Sequence, residues 1–391
     1  MTRKAGRHFL QVPGPSNVPE TVLLAMARAT IDHRGPSFQA LTAKVLAGFE
    51  RIFGFTDPVV IYPSSGTGAW VAALANCLSA GDRVLAFETG HFATLWRTIA
   101  GDLGLEVQFE EGDWRSAVDP DRLESVLRAD DGHRIKAVCI VHNETSTGVT
   151  SDVGAARAAM DAAGHPALLL VDTISSLGSI PHDHQACRVD VTIGCSQKGL
   201  MLPPGIGFNV VSQKARDAAK AATLPKAYWD WEGIIAANRT GVFPYTPATH
   251  LLYGLDEAFS LLEAEGIDAV YRRHRRHGTA SRAALQAWGL ENVGRDPARR
   301  SDALTAVMLP DGHDADQVRA IALRDLDLSL GTGLGKLTGR IFRIGHLGDF
   351  NDLMLLGTLN GVEIALDKAA VPIQKGGVAA AAALLAEDPS G

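Results

Sequence analysis

Short apolar segments alternate with helix-like stretches between residues 58 and 212, and this alternation limits the fold more than any other feature of the sequence. The apolar segments are residues 59–62, 84–87, 137–141, 167–171, 189–193 and 207–211. Their hydrophobic residues are mostly continuous rather than alternating, which is typical of strands that are covered on both faces. We therefore predict an α/β fold in which helices cover both faces of a mainly parallel sheet, with a ligand site at the carboxyl ends of the strands.

Two further segments indicate how the chain is divided. Three prolines within residues 12–19 predict a rigid, irregular arm that is neither a helix nor a central strand. A helical pattern from about residue 250 to 288 predicts a connector to a smaller α+β part. We predict an N-terminal arm over residues 1–20, a large cofactor-binding domain over 21–264 and a small C-terminal domain over 265–391.

Composition and charge exclude several classes of protein. The 391 residues carry 37 Lys and Arg against 44 Asp and Glu, and this net charge of −7 argues against a nucleic-acid partner. No apolar run reaches the ~18 residues of a membrane-spanning helix, and the charged first ten residues do not resemble a secretory signal. The four cysteines form no Cys-x-x-Cys pair, so we predict a cytoplasmic protein with no membrane or nucleic-acid partner.

Four polar features follow directly after predicted strands. Residues 63–70 (Pro-Ser-Ser-Gly-Thr-Gly-Ala-Trp) form a turn of small residues whose backbone N–H groups, at the start of a helix, suit an anion. Residues 142–148 form a polar cluster, Asp172 ends one strand, and Lys198 lies in a polar turn after another. Taken singly, each has an ordinary explanation: a helix cap, a polar loop or a solvated lysine.

The order of these features narrows the chemistry. An anion-binding loop, then an acid at a strand end, then a lysine 26 positions later is the pattern that pyridoxal 5'-phosphate (PLP) requires. Its phosphate needs an anion site, its ring nitrogen needs a carboxylate that keeps it protonated, and its aldehyde needs a lysine with which to form a Schiff base. The sequence therefore predicts PLP as the cofactor, and no metal is expected.

The motifs together resemble a known enzyme family. The chain is similar to class V, fold type I PLP-dependent aminotransferases of the serine/alanine–glyoxylate aminotransferase family, over about residues 7–370. The motifs that carry the resemblance are Pro13-Gly-Pro-Ser-Asn17, Ser64-Ser-Gly-Thr67, His142-Asn-Glu-Thr-Ser-Thr-Gly148, Val171-Asp172, Ser196-Gln-Lys-Gly199 and Phe342-Arg-Ile-Gly345. The motifs that most resemble the bacterial serine–glyoxylate enzymes are Leu328-Ser-Leu-Gly-Thr-Gly-Leu-Gly335 and Arg343-Ile-Gly-His-Leu-Gly348. The resemblance implies a seven-stranded, mainly parallel sheet in the large domain.

The resemblance also assigns roles at the cofactor site. It implies that Lys198 holds PLP and that Asp172 pairs with the ring nitrogen. The residues expected around the phosphate are Ser65, Gly66, Thr67 and Gln197. The residues expected around the ring are Phe92 on one face, Ile174 on the other and Thr145 at the ring hydroxyl.

Other roles concern the substrate. The resemblance implies that Arg343 binds the substrate α-carboxylate, for which a planar guanidinium is well suited. Gly14 and Asn17 are expected to line the same cleft. His346 follows Arg343 by three residues and is either a core histidine or a residue next to the substrate.

The predicted activity is a ping-pong transamination that converts glyoxylate to glycine. The resemblance suggests L-serine as the amino donor, with hydroxypyruvate as its product, while L-alanine and L-aspartate stay open. Tyr245 and Thr246 resemble a segment that reaches into the phosphate site of a neighbouring subunit. We therefore predict a homodimer with shared active sites, and the pairing of dimers into tetramers stays open.

Three alternatives are weaker. An aminoethylphosphonate–pyruvate transaminase would need further cationic groups facing the substrate, which the sequence neither shows nor excludes. A cysteine desulfurase needs a mobile cysteine in a C-terminal loop, and no cysteine follows Cys195. A non-catalytic protein of the same fold should have lost Lys198 or Asp172, and both are present.

Three further segments are interpreted as structural. His182 and His184 lack a third ligand and predict a surface turn rather than a metal site. The Arg- and His-rich residues 272–277 predict a solvated helix face. The glycine-rich residues 331–336 match neither nucleotide-binding pattern, and we predict a flexible loop near the substrate.

Overall fold

The computed structural model describes residues 5–387. Its strands are, in chain order, β1 (Phe9–Gln11), β2 (Val59–Ser64), β3 (Arg83–Phe87), β4 (Glu106–Glu110), β5 (Ile135–Val141), β6 (Asn143–Glu144), β7 (Val149–Thr150), β8 (Leu168–Asp172), β9 (Val191–Cys195), β10 (Gly205–Val211), β11 (Glu291–Asn292), β12 (Leu304–Met308), β13 (Leu328–Thr332) and β14 (Ile341–Gly345). Its α-helices are α1 (Glu20–Met26), α2 (Pro36–Phe53), α3 (Gly66–Cys77), α4 (His91–Asp102), α5 (Pro120–Arg128), α6 (Val153–Ala162), α7 (Gln213–Ala221), α8 (Trp231–Asn238), α9 (Thr249–Glu265), α10 (Ile267–Ala287), α11 (Ala315–Leu326), α12 (Asp352–Lys368) and α13 (Gly377–Glu387). None of these helices combines the length and the hydropathy needed to cross a membrane.

The larger sheet has seven strands in the order β2-β10-β9-β8-β5-β3-β4. Strand β10 runs antiparallel to both of its neighbours, and the other adjacent pairs are parallel. This confirms the predicted α/β fold, and each of the six apolar segments contributes a strand. Strand β4 escaped the sequence pattern because its residues Glu-Val-Gln-Phe-Glu alternate in polarity at the edge of the sheet and are only partly buried.

Helices cover both faces of this sheet. On one face, α2 begins with Pro36 at its first position and ends at Gly54, whose φ of 68° only glycine adopts easily. Between these ends, Phe49 packs edge-on against Phe259 of α9, with the ring centroids 4.9 Å apart. On the opposite face, α5 and α6 bury their apolar residues against β3, β5 and β8. The double cover explains why the central strands are continuously hydrophobic.

The smaller sheet combines both ends of the chain in the order β1-β13-β14-β12-β11. Strand β1 adds to its edge parallel to β13, and residues 12–19, which contain neither helix nor strand, lead back to the larger sheet. The predicted helical connector is two helices, α9 and α10, separated at Gly266. Many of the buried residues between positions 280 and 385 form a hydrophobic cluster of their own, while the domain boundaries at residues 20 and 264 stay predictions.

The four histidines of the two segments are buried, whereas Arg272, Arg275 and Asp183 beside them are exposed, so the predicted solvated helix face and surface turn do not include the histidines. His274 and His277 are fully buried on the inner face of α10, which packs against α12 and α13. His182 and His184 are also buried, and both form hydrogen bonds with Oγ1 of Thr192, at 2.9 and 2.8 Å. Local polarity misled the sequence interpretation because the covering helices are distant in sequence.

Candidate active site

A cavity lies at the carboxyl ends of β2, β5, β8 and β9. Because parallel strands end at the same edge of a sheet, the polar residues that follow them in the sequence meet here. The lining residues are Ser65, Gly66, Thr67, Trp70, Phe92, Val141, Asn143, Thr145, Asp172, Ile174, Gln197 and Lys198. They include nine of the eleven residues predicted for the cofactor site.

The small-residue turn forms one wall of the cavity. Strand β2 ends at Ser64, and α3 begins two residues later at Gly66. The side chain of Ser65 does not cap the helix, so the first N–H groups of α3 are not occupied by it. Any side chain at Gly66 would overlap Ile174, so the loop and the segment after β8 approach closely only because residue 66 is glycine.

Asp172 ends β8 and is almost completely buried. Its Oδ1 accepts a hydrogen bond from the backbone N–H of Ile174 at 2.7 Å, and its Oδ2 accepts one from Nε1 of Trp70 at 3.1 Å. Burial raises the pKa of Asp172 to about 7, while these two hydrogen bonds act in the opposite direction. The two hydrogen bonds thereby hold the carboxyl group in one orientation. Its pKa of about 7 means that the charged and the neutral forms are both populated at neutral pH.

Lys198 follows β9 and is covered by the N-terminal arm. Its Nζ donates a hydrogen bond to the carbonyl oxygen of Pro13, and Oγ of Ser16 donates to the carbonyl oxygen of Lys198 at 2.7 Å. Gly14 has a φ of 107°, and a side chain there would overlap the amine of Lys198. Burial lowers the pKa of Lys198 to about 8, which brings the neutral amine within reach near physiological pH.

Phe92 is held at the cavity by a buried carboxylate that the sequence analysis did not single out. Glu144 is completely buried in β6 and accepts hydrogen bonds from the backbone N–H groups of Phe92 and Ala93, at 3.3 and 3.1 Å. Oγ of Ser146 also donates to it, at 2.6 Å. A carboxylate at the N-terminus of α4 satisfies N–H groups that have no partner within the helix, and it therefore fixes the start of α4.

Thr145 and Asn143 belong to one hydrogen-bonded group. Both donate to Oγ of Ser175, at 2.8 and 2.9 Å, and this hydroxyl donates to the carbonyl oxygen of Asn143 at 2.9 Å. The group joins the segment after β5 to the segment after β8. Asn143 lines the cavity and lies within the polar cluster that the sequence analysis identified, but no role was assigned to it.

Arg343 reaches the same region from the smaller sheet. It lies on β14, and its Nη1 and Nε donate to the carbonyl oxygens of Thr145 and Thr332, at 2.7 and 2.8 Å. Burial lowers its pKa to about 10, so the guanidinium keeps its charge at neutral pH. A fixed cation next to the cavity suits the recognition of a carboxylate.

Six predicted site residues do not belong to the cavity lining. Gly14 and Arg343 lie against Lys198 and Thr145 of the lining, and the other four make different contacts. Asn17 donates to the carbonyl oxygen of Leu10 at 3.2 Å. His346 is fully buried in the smaller sheet, where its Nε2 forms a hydrogen bond with Oγ1 of Thr305 at 3.1 Å. Tyr245 stacks on Tyr228, and neither Tyr245 nor its neighbour at position 246 lines the cavity. Their predicted roles stay predictions, and those of residues 245 and 246 concern a second subunit.

Trp70 is a further lining residue without a predicted role, although it ends the small-residue turn at residues 63–70. Its position four residues after Gly66, one helical turn along α3, was the available signal, because such residues lie on the same side of a helix. Within residues 5–387, no group of three or more His, Cys, Asp or Glu side chains could hold a metal ion.

Comparison with known proteins agrees with this site. The family model described as "Aminotransferase class-V" matches residues 8–339. The serine–glyoxylate aminotransferase of Methylorubrum extorquens is 47% identical, over 99% of this chain and 98% of the relative. The L-aspartate–glyoxylate aminotransferase of Paracoccus denitrificans is 42% identical, over 95% of this chain and 94% of the relative.

Comparison with solved structures agrees with the comparison of sequences. The crystal structure of pyridoxamine–pyruvate aminotransferase from Mesorhizobium loti superimposes with a TM-score of 0.91 and 27% identity, covering 99% of each chain. The cavity residues, the family match and near-full-length identity above 40% point in one direction. This chain belongs to the class-V aminotransferase family.

Proposed function

We propose that this aminotransferase transfers an amino group from L-serine to glyoxylate, forming hydroxypyruvate and glycine. One observation carries the proposal: Lys198 and Asp172 line a single cavity, and Arg343 reaches its edge by donating to the carbonyl oxygen of Thr145. The choice of serine and glyoxylate is supported by the 47% identical relative that bears this name.

The residues present fit PLP, the cofactor of this enzyme family. The start of α3 offers N–H groups that the Ser65 side chain does not cap, as a phosphate requires. The cavity also contains a buried carboxyl group, Asp172, and a partly buried amine, Lys198. Residues of the 63–70 turn and Gln197 would hold the phosphate, Asp172 the ring nitrogen, and Phe92 and Ile174 the two faces of the ring.

Each of these side chains has a distinct task. When bound, PLP supplies an electron sink for the bond that breaks at the α-carbon of the amino donor. The Asp172 carboxylate holds a proton on the ring nitrogen, and the Lys198 amine moves a proton to and from the reacting carbon. Arg343 orients the α-carboxylate of the donor, so that one bond at the α-carbon is presented to Lys198. The arm holds this amine, because Nζ of Lys198 donates to the carbonyl oxygen of Pro13.

The donor and the acceptor are tested together by product analysis. The purified enzyme is incubated with glyoxylate and, separately, L-serine, L-alanine or L-aspartate, and with 2-aminoethylphosphonate and pyruvate as a further pair. We expect glycine to form fastest in the serine reaction, in which hydroxypyruvate is the second product. Faster glycine formation with aspartate or alanine would replace the donor, and turnover of the phosphonate pair alone would overturn the proposal.

We also propose a homodimer in which Tyr245 and Thr246 complete the phosphate site of the partner. The Tyr245 hydroxyl is buried without a partner within residues 5–387, and Tyr228, on which it stacks, is 41% exposed. Leu23 and Leu24 are 49% and 66% exposed, which is unusual for leucines on a helix that packs against another helix. These features support a surface covered by a second subunit.

Subunit exchange tests the shared site. Lys198→Ala and Thr246→Ala subunits, each with little activity alone, should regain activity when mixed, because a hybrid dimer contains one site with both wild-type residues. No recovery after proven exchange would contradict the shared site, and the measured mass in solution distinguishes a dimer from a tetramer.

We place the enzyme in the cytoplasm, which is supported by its four cysteines, all within the described residues and all free.

A further inference from the structure

Trp70 is a buried aromatic residue in the wall of the cofactor cavity. It lies in α3, the helix that begins at the small-residue turn, and it lines the cavity together with Asp172. Its Nε1 donates a hydrogen bond to Oδ2 of Asp172 at 3.1 Å. The ring is 1% exposed and stacks on Trp96, with centroids 5.5 Å apart and planes inclined by 11°. The indole is therefore fixed in place and has one polar contact to make.

The carboxyl group of Asp172 depends on this contact. Its other oxygen is held by the backbone N–H of Ile174, so the indole is the side-chain donor that fixes the rotation of the group. Burial raises the pKa of Asp172 to about 7, and hydrogen bonds to the charged form lower it. Without the Trp70 N–H, a larger fraction of Asp172 would be protonated at neutral pH and unable to hold a proton on a ring nitrogen.

We propose that Trp70 is a positioning residue for the cofactor: its indole N–H fixes the Asp172 carboxylate in orientation and in its charged form, and so keeps the ring nitrogen of PLP protonated. The inference rests on PLP as the cofactor of this family and not on the identity of the amino donor. Its failure is therefore distinguishable from a failure of the proposed serine–glyoxylate activity.

Trp96 provides a matched control. It is as deeply buried as Trp70, at 2% exposure, and belongs to the same stacked pair. Its Nε1 has no hydrogen-bond partner within residues 5–387. Trp70→Phe and Trp96→Phe thus remove the same atoms from the same aromatic pair, but only the first removes a hydrogen bond to Asp172.

The first measurement is the dissociation constant of PLP from the apoprotein, obtained by ultrafiltration and cofactor absorbance. A hydrogen bond to a charged group contributes enough to change this constant by roughly tenfold or more. We expect Trp70→Phe to weaken PLP binding by about tenfold and Trp96→Phe to change it by less than about threefold. Equal effects of the two substitutions would overturn the proposal.

The second measurement reads the ring nitrogen directly. PLP labelled with 15N in its ring is bound to each protein, and its chemical shift is followed against pH without substrate. In Trp70→Phe the ring nitrogen should lose its proton at a lower pH than in the wild type, while Trp96→Phe should match the wild type. An unshifted titration in Trp70→Phe would show that Trp70 contributes packing alone.

A double-mutant cycle separates a positioning role of Trp70 from a packing role. In an Asp172→Asn background, Trp70→Phe should lose most of its effect on PLP binding, and an undiminished effect would overturn the proposal.

If Trp70→Phe does not fold, the indole N–H resonances of the six tryptophans are compared between the wild type and Asp172→Asn. One resonance should move markedly, and six unmoved resonances would contradict the hydrogen bond.

Discussion

Two cations stand at the same cavity, Lys198 after β9 and Arg343 on β14, and burial lowers the pKa of both but leaves the two values different. Lys198 is enclosed by the N-terminal arm, and burial brings its pKa down to about 8. Arg343 is 7% exposed, and burial lowers its pKa to about 10. Its donors are anchored by the carbonyl oxygens of Thr145 and Thr332.

The difference separates a group that moves protons from a group that holds a charge. A base is useful when its neutral form is accessible near the working pH, and a lysine reaches this condition through burial. A guanidinium starts from a much higher pKa, so the same desolvation leaves it charged. One environment therefore produces a base and an anchor because the two side chains start from different pKa values.

The largest expected effect comes from removing the base. Lys198→Ala should lose the visible absorbance that PLP gains in the holoenzyme and should lower transamination by about 10³-fold or more. The checks are the absorbance spectrum and the rate of glycine formation, with Lys44→Ala, at the exposed Lys44–Asp256 ion pair, as the control. Full turnover in Lys198→Ala would end the assignment of this residue.

Removing the anchor should affect substrate binding rather than the cofactor. Arg343→Ala should raise the KM of the amino donor by about 100-fold through loss of charge-assisted hydrogen bonds. The absorbance of bound PLP should persist. Arg343→Lys keeps a positive charge but not the planar fork, and it should fall between the wild type and Arg343→Ala. An unchanged KM with a reduced kcat in Arg343→Ala would contradict the anchoring role.

A smaller effect comes from the arm that covers Lys198. Gly14→Ala should lower kcat on the order of tenfold, because the new methyl group overlaps the Lys198 amine and displaces it. Gly6→Ala is the matched control, since Gly6 has a similar φ of 92° and no atom lies within 4 Å of the added group. Both substitutions place a side chain at a positive φ, which disfavours any residue other than glycine. Equal kcat values for the two variants would show that the overlap with Lys198 has no consequence.

The smallest expected effect is that of the Arg343 charge on the pKa of Lys198. The labelling of Lys198 in the apoprotein by a small anhydride, quantified by peptide mass spectrometry, should rise through about pH 8 as the neutral amine forms. The positive charge of Arg343 adds to the lowering of the pKa of Lys198, after the effect of burial. In Arg343→Gln this rise should therefore move to higher pH by a fraction of a unit. A shift to lower pH would reverse the electrostatic account, and Lys220 serves as a surface reference.

The parts of this site that are close in sequence to a strand end were predictable. The turn at residues 63–70, Asp172 and Lys198 each follow an apolar segment, and the parallel sheet brings such positions together. The resemblance to a known family added expected roles for residues that lack any local signal, such as Phe92 and Arg343.

The supporting contacts were not predictable, because they join residues that are distant along the chain. Trp70 and Asp172 are 102 positions apart. Glu144 accepts a hydrogen bond from the backbone N–H of Phe92, which lies 52 positions away along the chain. His274 and His277 have the polarity of surface residues, and contacts with distant parts of the chain bury them, including α12, α13 and the backbone N–H of Gly348, which donates to Nε2 of His274. The surroundings of Tyr245 involve a second copy of the chain in our proposal, so one sequence could not reveal them either.

The most direct test of the account follows the cofactor absorbance of the holoenzyme through one complete cycle without an assay of products. L-Serine is added until the visible band stops changing, excess donor is removed, and glyoxylate is then added alone. We predict that serine abolishes the band and that glyoxylate restores it. A band that serine leaves unchanged, or that glyoxylate does not restore, would contradict the proposed amino transfer between L-serine and glyoxylate.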